Sequence, residues 1–320
     1  MRPDSPLNKP ILLAPEYRDY LWGGNRLKPG SAPIAEAWAI YENDLVASGP
    51  LAGCSLAEIA HEFGPDLLGS RVVQRSGERF PLLVKLLDCA QWLSLQVHPN
   101  DEQAARLEGP GFFGKTEAWH VLEAAPGAQL IAGMKPGTSA EALAEAIRKG
   151  AVLDWVQYLS IHSGDTVFVR AGTIHALGPG LLIYEVQQTS DLTYRVFDWN
   201  RPQTGNRVLH IEKSLAVANP AASANAEPLP PLQDGIIITL CQCPYFTLQT
   251  IAASAHTLEL DTRGETFHAL TVIEGSARLL VGGNVRVLNR FESAVIPAGV
   301  GRYTLEPASR YRLLKSSVES

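Results

Sequence analysis

The 320-residue sequence has few cysteines, only Cys54, Cys89, Cys241 and Cys243, and no spacing among them matches a zinc knuckle. They read as free thiols in a reducing cytoplasm, which is the expected location. There is no run of lysine or arginine, and the formal net charge is -6. A basic face for nucleic acid is therefore excluded. No apolar run approaches the length of a membrane span, and Met1-Arg2-Pro3-Asp4-Ser5-Pro6 does not have the form of a secretion signal. The expected partner is a small molecule, with no nucleic acid and no membrane.

What remains is ordinary for a globular chain, with 46% hydrophobic and 19% charged residues and enough length for one large or two medium domains. Two motif look-alikes fail on context. Gly109-Pro110-Gly111-Phe112-Phe113-Gly114 spells a dinucleotide fingerprint, but it follows a helix pattern and precedes a strand pattern, the reverse of what that site needs. His61-Glu62 opens like a zinc-protease motif, but Pro65 stands where the second histidine belongs.

Short strands with turns dominate the pattern. Ala35 to Tyr41 alternates like a strand, and Tyr20 to Trp22 reads as one that ends in the Gly23-Gly24 turn. Ser55-Leu56-Ala57-Glu58 is a capping box, followed by a helix that stops near Gly64-Pro65. Phe80 to Asp88 is a buried-type strand interrupted by Lys85, and Trp92 to His98 is another. Glu117 to Leu122 and Gln129 to Gly133 read as a hairpin. Ser139 caps a helix to about Lys149, and a second short helix covers Val152 to Tyr158, giving a small helical insert at about 138–158. Residues 219 to 234 read as a linker.

Beyond the linker an echo appears. Residues 291–299 repeat the pattern of residues 164–172, which places Arg302 where His175 stands, and a second match sets His268 opposite Glu117. Two related halves of short strands predict a mainly β fold, two cupin or jelly-roll β-barrels with a small helical insert. The expected domains are 1–230, catalytic, and 231–320, cupin-like and without a metal site.

The candidate chemistry lies in three stretches. Leu95 to Asp101 carries Gln96 and His98, Lys115 to His120 carries Glu117, and Gly164 to Ala176 delivers His175 just past the Gly172 turn. One amide oxygen, two imidazoles and one carboxylate form a borderline donor set that suits zinc, iron or manganese. Along the Trp92–His98 strand, Ser94, Gln96 and His98 share one face, which neither a core nor plain solvent exposure explains.

These stretches resemble the motifs of the type I mannose-6-phosphate isomerases, a family in the cupin superfamily. The likeness rests on Leu93 to Pro99, Lys115 to Trp119, Gly172 to Ala176, Glu185 to Arg195 and Trp22-Gly23-Gly24, in order over residues 10 to 200. The short insert resembles the short bacterial form. The resemblance implies a zinc enzyme, one divalent metal per chain, interconverting mannose 6-phosphate and fructose 6-phosphate. It makes Gln96, His98, Glu117 and His175 the metal ligands. Ser94 and Lys85 become substrate-binding candidates, and Arg195, Glu185 and Lys115 catalytic ones. His120 stands where an aromatic is frequent in the family, a difference that leaves the ligand set untouched and points to an altered pocket wall. The expected assembly is a monomer or weak homodimer.

Each role has a competitor. Lys85 is either a snorkelling lysine or a partner of a carboxylate or substrate phosphate. Glu185 either moves a proton or pairs with Arg195, and Arg195 itself has Asp191 and Asp198 as alternative partners. Trp22 and Trp38 are expected in the core. At the level of function, a non-catalytic sugar-sensing cupin and a metal-dependent oxygenase compete with the isomerase. The cationic residues favour a phosphorylated substrate.

Overall fold

A computed structural model describes residues 5–203 and 207–318. Of the N-terminal hexapeptide, residues 1–4 lie outside the described residues. Strands β1 (Ile11–Leu12), β2 (Glu16–Arg18) and β3 (Glu36–Ile40) precede helices α1 (Leu56–Phe63), α2 (Pro65–Leu68) and α3 (Ser70–Ser76). Then come β4 (Leu82–Cys89), β5 (Leu95–Val97), α4 (Asp101–Glu108), β6 (Glu117–Ala124), β7 (Gln129–Met134), α5 (Ala140–Arg148) and β8 (Val156–Ser160). The middle of the chain closes with β9 (Thr166–Val169), β10 (His175–Leu177), β11 (Leu181–Gln188), β12 (Tyr194–Phe197), α6 (Ile211–Val217) and β13 (Ala226–Glu227). The last third holds β14 (Ile236–Gln242), β15 (Thr247–Ala253), β16 (Leu258–Asp261), β17 (His268–Glu274), β18 (Ser276–Val281), β19 (Asn284–Asn289), β20 (Ser293–Ile296), β21 (Arg302–Pro307) and β22 (Tyr311–Ser317).

Two compact units are built from interleaved segments. One takes Tyr17–Glu36 and Leu86–Pro228; the other takes the chain up to Glu16, Ala37–Lys85 and the chain from Leu229 onward. In the first, one sheet has the order β13-β9-β6-β11-β4 and the other β12-β5-β10-β7-β8. Trp119, Val121, Val167 and Ile183 from one sheet pack against Leu130, Ala132 and Leu177 from the other. The outward face of the second sheet, with Leu95, Val97, Ile131 and Val196, is covered by Leu143 and Ile147 of α5 and Val217 of α6. The second sheet is thus apolar on both faces, and any polar residue turned inward on it is exceptional.

The remaining unit repeats this plan. Its order β20-β17-β22-β15 follows β9-β6-β11-β4, and β16-β21-β18-β19 follows β5-β10-β7-β8. Its core joins Leu270, Val272 and Leu313 to Leu279, Tyr303 and Leu305. The sequence echo is therefore a topological repeat. Among the described residues, the sheets of each unit are open rather than joined into a closed barrel.

Several expectations are corrected. Strands β6 and β7 are not a hairpin. They lie in different sheets, because Pro126 and Gly127 carry the chain across the core instead of prolonging a ladder. The expected second helix of the insert is a 3-10 turn at Val152–Asp154 followed by β8, which pairs with β7. Alternating burial and the Val and Tyr side chains favour the strand there. The 219–234 segment is not only a linker, since β13 pairs with β9. Tyr20–Trp22, expected as a strand, is a turn leading to the isolated bridges of Gly23 and Gly24, while other local signals hold. Ser55 and Glu58 form the capping box, Ser139 caps α5, and all four cysteines are free.

Candidate metal centre

Strand alternation positions the centre. Leu95 and Val97 face the helix-covered core, so Gln96 between them turns toward the space between the sheets. Its Cα partners are His175 on β10 and Arg195 on β12. From the opposite sheet, Glu117 opens β6 on the same face as Trp119, a residue of the inter-sheet core. His98 and His175 come from segments tied together, because the Gly172 amide donates to the His98 carbonyl at 2.8 Å. Gly172 has φ +85°, a conformation glycine adopts without strain, and the tight turn it allows brings His175 back beside β5.

The donor atoms of His98, Glu117 and His175 all lie within 4.8 Å of one another, and all three residues are buried. His175 Nε2 is 3.2 Å from Glu117 Oε1, and His98 Nε2 is 3.6 Å from Glu117 Oε2. Both imidazoles are held from behind. His98 Nδ1 donates to the Leu192 carbonyl at 2.7 Å and His175 Nδ1 donates to the Thr173 carbonyl at 2.8 Å. With the proton on Nδ1, each Nε2 presents its lone pair to the centre, the tautomer a metal ligand requires. Burial lowers the His175 pKa from 6.5 to about 4, so the ring is neutral at pH 7; its bond to the Thr173 carbonyl opposes the shift.

The Gln96 amide lies 3.3 Å from His175 Nε2, and a half-turn of the amide would turn Oε1 instead of Nε2 toward the centre. Lys115 Nζ sits 2.7 Å from Glu117 Oε2 and 3.1 Å from His98 Nε2. The ammonium thus offsets part of the negative charge that Glu117 brings to this point. The residues present fit a divalent ion bound by nitrogen and oxygen.

The other sequence candidates are distributed as follows. Glu185 is buried on β11, with Trp119 as its Cα partner, and Trp119 Nε1 donates to Glu185 Oε2 at 2.8 Å. Arg195 is in register with Gln96, and its Nη1 donates to the Val208 carbonyl at 3.1 Å. Ser94 is buried two residues before Gln96. Lys85 belongs to the other compact unit, where its Nζ lies 5.0 Å from the Trp38 ring. His120 does not wall the centre on the Glu117 side. Alternation sends it to the opposite face of β6, where Nδ1 meets Thr166 Oγ1 at 3.0 Å.

Several supporting residues escaped the sequence reading. Asp101 Oδ1 accepts from the Gly114 amide and from Gln188 Nε2, while Gln188 Oε1 accepts from the Thr116 amide. This network fixes the backbone that carries Lys115 and Glu117. Asp88 takes Arg26 Nε at 2.8 Å and Nη2 at 2.6 Å. A Cβ on Gly24 would collide with the Asp88 carboxylate, which explains the second glycine of Trp22-Gly23-Gly24. The only hint in the sequence was the polar run Gln187-Gln188-Thr189-Ser190 at the end of an apolar strand.

Fold and centre define a class first: a mainly β, double-sheet protein with a buried His-Glu-His cation site, a candidate divalent-metal enzyme. Comparison with known proteins makes the class specific. Residues 11–110 match the model of the phosphomannose isomerase type I catalytic domain. Mannose-6-phosphate isomerase ManA of Bacillus subtilis is 32% identical over 93% of this chain and 96% of its own length. The mannose-6-phosphate isomerase of Streptococcus mutans is 35% identical over 90% of this chain and 92% of its own. The crystal structure of the Bacillus subtilis mannose 6-phosphate isomerase superposes with a TM-score of 0.84 at 32% identity, covering 96% and 99% of the two chains. The chain belongs to the type I mannose-6-phosphate isomerases.

Proposed function

We propose that this protein interconverts mannose 6-phosphate and fructose 6-phosphate with one zinc ion per chain, held by Gln96, His98, Glu117 and His175. The observation that carries the reading is the pair of imidazoles with Nδ1 tethered to backbone carbonyls and Nε2 turned on buried Glu117. The family relatives support the isomerase over the sensing and oxygenase readings. Within the chain, catalysis belongs to the unit of Tyr17–Glu36 and Leu86–Pro228, while the unit that contains residues 231–320 is cupin-like and without metal. The double sheets are open members of the cupin type. The working form is a cytoplasmic monomer or weak homodimer.

The reaction moves a proton between adjacent sugar carbons through an enediol, and it needs a base and an electrophile. A bound divalent ion supplies Lewis-acid polarisation of the sugar oxygens. Glu185 is the base. Its Oε2 is fixed by the Trp119 indole, which orients the carboxylate within the inter-sheet space. Lys115 and Arg195 add positive charge for the developing oxyanion, and Ser94 holds the substrate. The test is an assay coupled to fructose 6-phosphate formation, with metal analysis. We expect about one zinc per chain, activity lost on chelation and activity restored by added zinc. Full activity in metal-free protein would refute the metal's role.

A further inference from the structure

Gln187 is a completely buried side chain to which the mechanism above gives no part. It stands on β11 with Glu117 as its Cα partner. Directly opposed residues of an antiparallel pair project to the same face, with Cβ atoms about 4.5–5.5 Å apart. The amide of Gln187 therefore lies beside the carboxylate of the candidate metal centre.

Its orientation is determined. Nε2 donates to the Gln188 carbonyl at 3.2 Å and to the Ser190 carbonyl. Both amide hydrogens are used on the chain just past β11, so the opposite end of the group is the acceptor. That acceptor, Oε1, is buried and has no hydrogen-bond partner among the described residues. A buried acceptor without a donor is costly, and a hydrocarbon side chain would fill the same space without that cost. The neighbours do not supply the donor. Glu117, when ionised, only accepts, and Lys115 Nζ is directed at Glu117 Oε2 and His98 Nε2. The missing donor is an O–H that arrives with the ligand.

We propose that Gln187 Oε1 is a specificity contact that accepts a hydrogen bond from one hydroxyl of the sugar bound at the metal centre. This rests on the isomerase reading above and deepens it. A sugar phosphate brings several hydroxyl donors; a site that pairs one of them discriminates against analogues lacking it, because Oε1 is then left buried and unpaired.

The test compares zinc-loaded wild type with Gln187→Met, which keeps the volume and removes the acceptor. Turnover is measured on mannose 6-phosphate and on its 3-deoxy and 4-deoxy analogues. The variant should lose about 5- to 100-fold in kcat/KM on the parent sugar. On one of the deoxy analogues the two enzymes should become equal. The same equality is expected in calorimetric Kd values for a hexitol 6-phosphate and its deoxy forms, which are not turned over. An unchanged kcat/KM on the parent sugar, or the same loss on every analogue, would overturn the proposal and leave Gln187 a structural tie for residues 188–190. Because the variant also loses those ties, a second measurement uses only the wild type. The side-chain carbonyl carbon resonance of Gln187 should shift when the hexitol phosphate binds and stay in place with the deoxy form that lacks the partner hydroxyl. If it moves equally with both, a bound water is the donor and the proposal fails. Wild type that binds the hexitol phosphate but turns over none of the sugars would instead count against the isomerase reading alone, and the binding comparisons would still decide the role of Gln187.

Discussion

The two units share one strand plan, yet among the described residues the His-Glu-His cluster lies in one of them. The equivalences run strand by strand. Glu117 opens β6 and faces Val169, while His268 opens β17 and faces Ile296. His175 opens β10 opposite Gln96, while Arg302 opens β21 opposite Asp261. Glu185 pairs with Trp119, while Lys315 pairs with Leu270. Where the first unit gathers a carboxylate between two imidazoles, the second has, among the described residues, a single buried imidazole, with His268 Nδ1 bonded to Tyr303 Oη at 2.8 Å. The counterpart of His175 is an exposed arginine whose guanidinium meets Glu259 and Asp261 at 3.4 and 3.8 Å. The scaffold is thus neutral with respect to chemistry; a few side chains at strand starts decide it.

The largest expected effect breaks the comparison at its strongest point. His98→Ala and His175→Ala should each drop metal content from about one per chain to near zero and abolish activity, while His268→Ala keeps the metal. Elemental analysis of the three purified variants decides it; full metal in His175→Ala would remove that residue from the ligand set.

Next comes the pair Glu185 and Lys315. Glu185→Gln should lower kcat by about 10²–10⁴ with metal content and KM near wild type. Lys315→Met should leave kcat near wild type. Near-normal kcat in Glu185→Gln would move the base to another residue such as Lys115.

The third effect concerns acid. Burial lowers the pKa of both His175 and His268 below 6.5, to about 4 for His175. The unfolded chain then binds more protons than the folded one below about pH 6.5, so stability is full above that value and falls as pH drops. For His175 the loss runs down to about pH 4 and reaches at most about 3 kcal/mol. Urea unfolding of metal-free protein between pH 4 and 8 should show this slope, flattened in His175→Asn and, separately, in His268→Asn. Slopes identical to wild type in both variants would contradict the burial argument. The smallest effect is Arg302→Ala, an exposed pair, with stability expected within about 0.5 kcal/mol of wild type by thermal melting.

How much of this was legible in the sequence differs from one element to the next. The capping box at Ser55 and the cap at Ser139 were readable because a cap is satisfied within four residues. The candidate cluster of His98, Glu117 and His175 and the repeat were readable because both rest on short motifs in order along the chain. The false hairpin at 117–133 was not avoidable, since a Pro-Gly turn looks the same whether the next strand joins the same sheet or crosses to the other. His120 was misplaced for a related reason: its face depends on the register in which β6 begins.

By itself, then, the sequence determined the strand-rich class, the two-fold repeat, the four candidate ligands and the family they point to. Tertiary structure alone decided which sheet each strand joins, the interleaving of residues 37–85 with the C-terminal strands, the indole that fixes Glu185, and the acceptor left open on Gln187. The reason is range. Caps, turns and alternation are settled among neighbours in the chain, whereas the partners of Glu185 and Gln187 lie 66 and 70 positions away, at Trp119 and Glu117, and are fixed only when β11 finds its register against β6.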